Sequence, residues 1–221
     1  MAHKTFNEAN IENMFINAAQ KCGWHYIPAT EIERQMEDVL VESWLRESLI
    51  ALNNISAEQA DQVIYKMRSY IQSATKETMV QNNNAFRRFL FDETSFPFGK
   101  DGENINICFF DEEDMNRNYC VVTNQWVYPR TTTHGGKRLD LVFIINGIPM
   151  VIGEVKTPFA PGITWADGAN DIVKYQKSIP AMFVTNILNF ASDGKELFYG
   201  GIGLPVDKWG PWFGTEDRQH G

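Results

Sequence analysis

The sequence predicts an α/β domain in which a sheet is sandwiched by helices, with a helical layer at its N-terminal end. Three observations carry this. Apolar residues in the first hundred positions recur at helical spacing, whereas those after Gly99 fall in short, β-rich runs. Two of these runs, RLDLVFIING and IPMVIGEVKTP, are almost continuously apolar. Continuous apolarity marks strands covered on both faces rather than one.

From the N-terminus, Thr5 or Asn7 can cap a helix carrying Ile11, Phe15, Ala18, Ala19 and Cys22, with Gly23 ending it. A second helix is expected over residues 31–53, with Ile32, Met36, Val39, Leu40, Trp44, Leu45, Leu49 and Leu52 on one broad face. Ser56 and Gln59 match a capping box, opening a third helix with Ala60, Val63, Ile64, Met67 and Ile71. A fourth is expected over 76–91, although the polar triplet Asn82-Asn83-Asn84 weakens its pattern. Strands follow at 104–110 and 119–128, joined by the acidic turn Asp111-Glu112-Glu113-Asp114, read as a solvated loop. After the breaker stretch 131–136 come the two apolar strands, joined through Asn146-Gly147. A helix over 165–178, a strand over 181–187, the turn Ser192-Asp193-Gly194 and a short strand over 197–200 complete the reading. No repeat, low-complexity segment or linker interrupts the 221 residues, so one domain is expected, mainly helical over 1–95 and sheet-bearing over 100–203.

Composition narrows the function. With 43% hydrophobic and 22% charged residues the chain has globular rather than disordered composition. No apolar run approaches the roughly 18 residues of a membrane span, and the start, MAHKTFNEAN, has no signal-peptide core. Three cysteines without a CxxC pair and four scattered histidines argue against a structural zinc site and fit a reduced, cytoplasmic setting. The net charge of −8 counts against nucleic acid as a partner. Yet Arg130 to Lys156 holds four basic residues against two acidic ones, and those two acids have a use of their own.

They are Asp140 and Glu154, which with Lys156 interrupt the apolar hairpin. Charges in buried strands cost several kcal/mol unless paired or bound to metal. Glu154 and Lys156, two apart, share a strand face. Asp140 joins them only if pairing parity allows. A plain two-residue Asn146-Gly147 turn sets Asp140 opposite Gly153, whereas a three-residue loop or a bulge at Gly153 sets it opposite Glu154. One of the latter is expected. Two carboxylates then suit a hard cation such as Mg²⁺, which takes its remaining ligands from water and phosphate. Such an ion polarises a phosphoryl oxygen and activates water, and a lysine beside it orients that water or stabilises developing charge. The implied chemistry is phosphodiester hydrolysis; the rival is a structural ion pair.

The Asp…Glu-x-Lys pattern resembles that of the PD-(D/E)XK nucleases. IENMFINAAQKCGW, NYCVVTNQW, RLDLVFIINGIPMVIGEVKTP, PAMFVTN and ASDGKELFYGG resemble more narrowly the N-terminal endonuclease domain of the R (restriction) subunit of type I restriction enzymes. This resemblance covers residues 8–203. It implies a restriction-endonuclease-like fold, a mixed central sheet flanked by helices. It implies Asp140 and Glu154 as metal ligands, Lys156 as the catalytic lysine, and Mg²⁺ as cofactor, with Mn²⁺ able to substitute. Relatives often have Arg-Pro-Asp where this chain has Arg138-Leu139-Asp140. Glu12 on the first helix matches an accessory acidic residue, the alternative being a solvated glutamate.

Relatives also carry a Gln-x3-Tyr helix motif lining the site. Tyr175 matches its tyrosine, but Asp171 replaces the glutamine, either adding a carboxylate or pairing with Lys174. Arg130, Lys137 and Arg138 are candidate DNA phosphate contacts or solvated charges; Trp126 is read as core. In the family the R subunit continues into a helicase-like motor that uses ATP to translocate double-stranded DNA, beside methyltransferase (M) and specificity (S) subunits. No GxxxxGK[ST] loop occurs here, so the chain is expected to be part of a longer subunit, with ATP bound elsewhere. Two other readings stay open: a catalytically silent docking domain, and a free-standing nuclease of the same fold.

Overall fold

The computed structural model describes residues 7–92, 94–129, 136–157, 159 and 161–212. Helix α1 (Glu8–Lys21) starts where Asn7 and Asn10 cap each other's backbone N–H groups, and buries Ile11, Ile16 and Ala19. A short strand, β1 (His25–Tyr26), follows.

The helix expected over 31–53 is only half present: α2 spans Glu42–Asn53. Before it, the Arg34 guanidinium donates to the carbonyls of Gln35, Met36, Asp38 and Val127 and lies 3.6 Å over the Trp126 ring. Carbonyls committed to that side chain are not free for helical pairing, and Val41 donates its N–H to Gly147 instead. Helix α3 (Ala57–Gln72) begins at the expected Ser56–Gln59 capping box and buries all five expected residues. Helix α4 (Met79–Phe91) starts later than residue 76. Its asparagines have a tertiary purpose: Asn83 is buried, donating to the carbonyls of Phe183, Val184 and Asn186 at 2.7–3.3 Å.

Strands β2 (Ser95–Phe96) and β3 (Ile105–Asn106) form a separate two-stranded ribbon. The strand expected over 104–110 stops at Asn106. Beyond it the Asn53 amide takes both the N–H and the C=O of Cys108, leaving no ladder to extend. The acidic turn is a loop, as expected, with Asp111 accepting the N–H groups of Glu113 and Asp114.

The main sheet has the order β1-β4-β5-β6-β7-β8-β9, with β4 (Cys120–Tyr128), β5 (Lys137–Ile145), β6 (Ile148–Val155), β7 (Leu188–Ser192), β8 (Leu197–Gly200) and β9 (Gly210–Pro211). Strands β1/β4 and β6/β7 pair parallel and the rest antiparallel, so the sheet is mixed. Helix α5 (Trp165–Ser178), capped by Thr164 and Asp167, makes the β6–β7 crossover. The strand expected over 181–187 is instead a 3-10 turn, Pro180–Phe183, followed by a bend. Asn83 holds its carbonyls from across the core and the Thr185 hydroxyl donates to Pro149, so strand pairing resumes only at Leu188.

Side chains alternate between two cores. Leu141, Val155, Val122 and Phe190 pack under α1. Val142, Ile144, Ile152 and Ala191 pack with residues of α2 to α5, including Leu45, Val63, Phe86 and Ile172. Both sheet faces are therefore covered, as the continuous apolar strands predicted. Trp126 is fully buried in the larger core, as expected. Among the described residues no helix is long and apolar enough to cross a membrane.

Candidate active site on the β5–β6 hairpin

Two residues close the hairpin: Ile145 pairs with Ile148 around Asn146 (φ 51°) and Gly147 (φ 80°). Positive φ at both centres is the two-residue turn that suits strand twist. Gly147 is also required by space, since a Cβ there would lie 2.4 Å from the Val41 carbonyl oxygen. Such a turn alone would separate the two carboxylates. Instead Ile144 pairs with Pro149 but Phe143 pairs with Val151, leaving Met150 as an extra residue. The expected bulge exists, at Met150 rather than Gly153. Pro149 accounts for its place, because a proline has no N–H for the ladder and inside a sheet is found at bulges or edges.

Past the bulge Leu141 pairs with Gly153, so the next step in register sets Asp140 opposite Glu154. Asp140 Oδ2 accepts the Val155 backbone N–H at 3.0 Å. Lys156 continues the strand, its N–H donating to the Ser192 carbonyl. Its Nζ lies 3.2 Å from Glu154 Oε1 and 2.8 Å from Asp171 Oδ2. The Tyr175 hydroxyl donates to the same Glu154 oxygen at 3.4 Å. Helix α5 comes this close because Gly168 faces Glu154, where a Cβ would already touch its Cγ at 3.4 Å. The hairpin thus brings together Asp140, Glu154 and Lys156, and α5 adds Tyr175 and Asp171.

Glu12 enters from α1. It is 5% exposed, its Oε2 accepting from Asn124 Nδ2 at 2.9 Å and its Oε1 from Gln125 Nε2 at 2.7 Å. Tyr26 in turn donates to Asn124 Oδ1 at 2.9 Å. The solvated-glutamate alternative is therefore excluded. Neither amide stands out as a site residue in the sequence; their only signal is two adjacent carboxamides in a mostly apolar strand. Of the candidate DNA contacts, Lys137 Nζ lies 5.5 Å from the centre of the Tyr175 ring and Arg138 is exposed. Arg130 lies outside the described residues.

Burial sets the electrostatics. Glu154, 3% exposed, has its pKa pushed up to about 8 by burial and then by Asp140, with Lys156 pulling the other way. Asp140 rises to about 6, chiefly through burial, against the Val155 N–H. Burial works to lower the Lys156 pKa, but the bonds to Asp171 and Glu154 outweigh it and hold the ammonium above its usual range. Asp171 is held below the usual carboxylate range by Lys156 and Lys174, against its own partial burial. Burial and Glu154 also keep the Tyr175 phenol protonated.

These carboxylates fit a hard divalent cation. Among the described residues Glu154 Oε2 is buried with no hydrogen-bond partner, an expensive condition that a bound cation would relieve. Among the described residues no group of three or more His, Cys, Asp or Glu converges as a metal cage. Two carboxylates with the remaining positions left to water and phosphate is what Mg²⁺ accepts.

A mixed sheet covered on both faces, presenting Asp and Glu-x-Lys on adjacent strands, defines the restriction-endonuclease-like class. Within it, a family model described as "Type I restriction enzyme R protein N terminus" matches residues 5–202, and the chain belongs to that family. It is 27% identical to the "Type I restriction enzyme HindI endonuclease subunit" of Haemophilus influenzae, over 96% of this chain and 21% of that protein. It is 26% identical to the "Putative type I restriction enzyme MjaIXP endonuclease subunit" of Methanocaldococcus jannaschii, over 93% of this chain and 20% of that protein. The chain spans about one fifth of the length of these curated relatives.

Proposed function

We propose that this chain is the Mg²⁺-dependent endonuclease domain of a type I restriction R subunit, hydrolysing phosphodiester bonds of double-stranded DNA in the cytoplasm. The observation that carries the reading is the bulge at Met150, which spends sheet regularity to set Asp140 against Glu154 with Lys156 beside them. A structural ion pair needs one acid and one base; it does not need a second buried carboxylate set opposite the first.

In this reading Asp140 and Glu154 hold the cation. When bound, the cation supplies Lewis-acid polarisation of the scissile phosphate and easier deprotonation of water. Lys156 stays protonated and aims its ammonium at charge developing on the phosphate. The Tyr175 hydroxyl orients Glu154 from the helix side. Lys137 and Arg138 contact DNA phosphates where β5 enters the site, and Arg130 is a further candidate contact. The longer subunit supplies ATP-driven translocation, and the M and S subunits choose where the complex binds. The net charge of −8 fits a domain that holds DNA poorly alone and receives it from these partners.

The test is Asp140→Ala in the assembled enzyme, where cleavage of double-stranded DNA should be lost and DNA-stimulated ATPase retained. Cleavage at the unsubstituted rate would remove the assignment. It would also favour the second reading, a silent docking domain, which the acidic charge supports.

A further inference from the structure

Lys156 has two anionic partners with different duties. Glu154 is one of the two cation-holding carboxylates of the proposed site, and its Oε1 is shared between Lys156 at 3.2 Å and the Tyr175 hydroxyl at 3.4 Å. A divalent cation at Glu154 competes with Lys156 for that carboxylate and repels the ammonium. A partner other than Glu154 must then hold the lysine. Asp171 is placed for it. Its Oδ2 lies 2.8 Å from Lys156 Nζ, the shorter of the two contacts. Its Oδ1 lies 2.8 Å from Lys174 Nζ, one helical turn on, so both carboxylate oxygens are engaged and its orientation is set. Asp171 also stands one turn before Tyr175, on the α5 face that reaches Glu154.

We propose that Asp171 is the positioning residue for Lys156, keeping the ammonium at the site when a cation takes Glu154 from it. This rests on the nuclease reading. It makes the Asp171 charge a working part of the site, where an amide such as glutamine accepts a hydrogen bond but supplies no counter-charge. Lys156 passes from two partners to one without leaving its place.

The test uses the intact protein with Mn²⁺ as the calorimetric probe and Mg²⁺ for single-turnover cleavage. Asp171→Asn should weaken Mn²⁺ binding by about 10–100-fold, the usual effect of losing a partner that orients a metal site. The rate at saturating DNA should fall by a similar factor, with the DNA concentration for half-saturation unchanged. Asp171→Glu should recover most of both. In a Lys156→Met background, Asp171→Asn should have no further effect on Mn²⁺ binding, since the residue it positions is gone. The proposal is overturned if Asp171→Asn binds and cuts like the parent, or if its Mn²⁺ effect persists undiminished in the Lys156→Met background. A melting midpoint separates unfolding from either result, and Asp171→Glu keeps the test open should Asp171→Asn fail to fold. If the parent protein binds no Mn²⁺, or Asp140→Ala cuts normally, the nuclease reading itself fails, and the proposal with it.

Discussion

Asp140 accepts the backbone N–H of Val155, the residue between Glu154 and Lys156, at 3.0 Å. The first proposed metal ligand therefore also fixes the strand that carries the second and the lysine. One carboxylate oxygen secures the register, and in the proposed function the carboxylate also holds the cation. Asp140→Ala thus removes a ligand and a register pin together, whereas Asp140→Asn keeps an acceptor and isolates the loss of charge.

Raised carboxylate pKa values make the cation-free protein less stable as pH rises. Glu154 moves from 4.5 to about 8 and Asp140 from 3.8 to about 6. Between those limits the folded state holds protons that the unfolded chain has released. Their contribution to stability is complete below about pH 4 and is lost as pH climbs towards 8. Glu154→Gln should flatten this slope and raise the cation-free melting midpoint at pH 8 by at least about 2–4 °C, the shift for each kcal/mol at this size. Added Mg²⁺ should raise the midpoint of the parent at pH 8 and do little for the variant. An unchanged pH slope in Glu154→Gln would sink this account.

The turn that closes the hairpin admits only glycine at its second position. Gly147→Ala would need φ near 80° and place a Cβ 2.4 Å from Val41 O and 2.7 Å from Leu45 N. Left-handed backbone costs a non-glycine residue about 1–2 kcal/mol, and overpacking adds about 1–3. A loss of about 3 kcal/mol is expected in urea unfolding, with the m-value unchanged. A loss under about 1 kcal/mol would show that α2 moves aside freely.

Glu12 depends on its two amides. Gln125→Ala leaves one oxygen of a buried carboxylate without its donor and should cost about 1–3 kcal/mol. In a Glu12→Ala background the same substitution should cost far less, since no acceptor remains to be stranded. Equal costs in both backgrounds, measured by chemical denaturation, would show that Gln125 acts through its left-handed backbone (φ 57°) rather than through Glu12.

Much of this molecule was legible one residue at a time. The capping pair Ser56 and Gln59, and the helical face from Ala60 to Ile71, belong to one element and answer to local rules. So do the helix Trp165–Ser178 and the Asn146-Gly147 turn. The misread segments share a different feature. Residues 181–187 have apolar spacing that suits a strand, but a distant side chain takes their carbonyls. Residues 31–41 have helical spacing, but Arg34, anchored on β4 through Val127 and Trp126, takes the carbonyls around it. Asn83 takes carbonyls about a hundred positions away, and Arg34 reaches Val127. No local pattern encodes such a partner.

The same division runs through the candidate site. By itself the sequence determined that Asp140, Glu154 and Lys156 stand as charges in buried strands, because apolar neighbours make any charge there costly. It determined that Glu154 and Lys156 share a face, because side chains along a strand alternate with period two. Whether Asp140 joined them depended on one extra residue in the ladder, and the tertiary structure alone placed it, at Met150 beside a proline with no N–H to give. Tertiary structure alone also brought Glu12 under two amides of β4 and set Asp171 against Lys156. Those contacts join elements far apart in the chain, and only the packing of α1 and α5 onto the sheet decides which side chains meet.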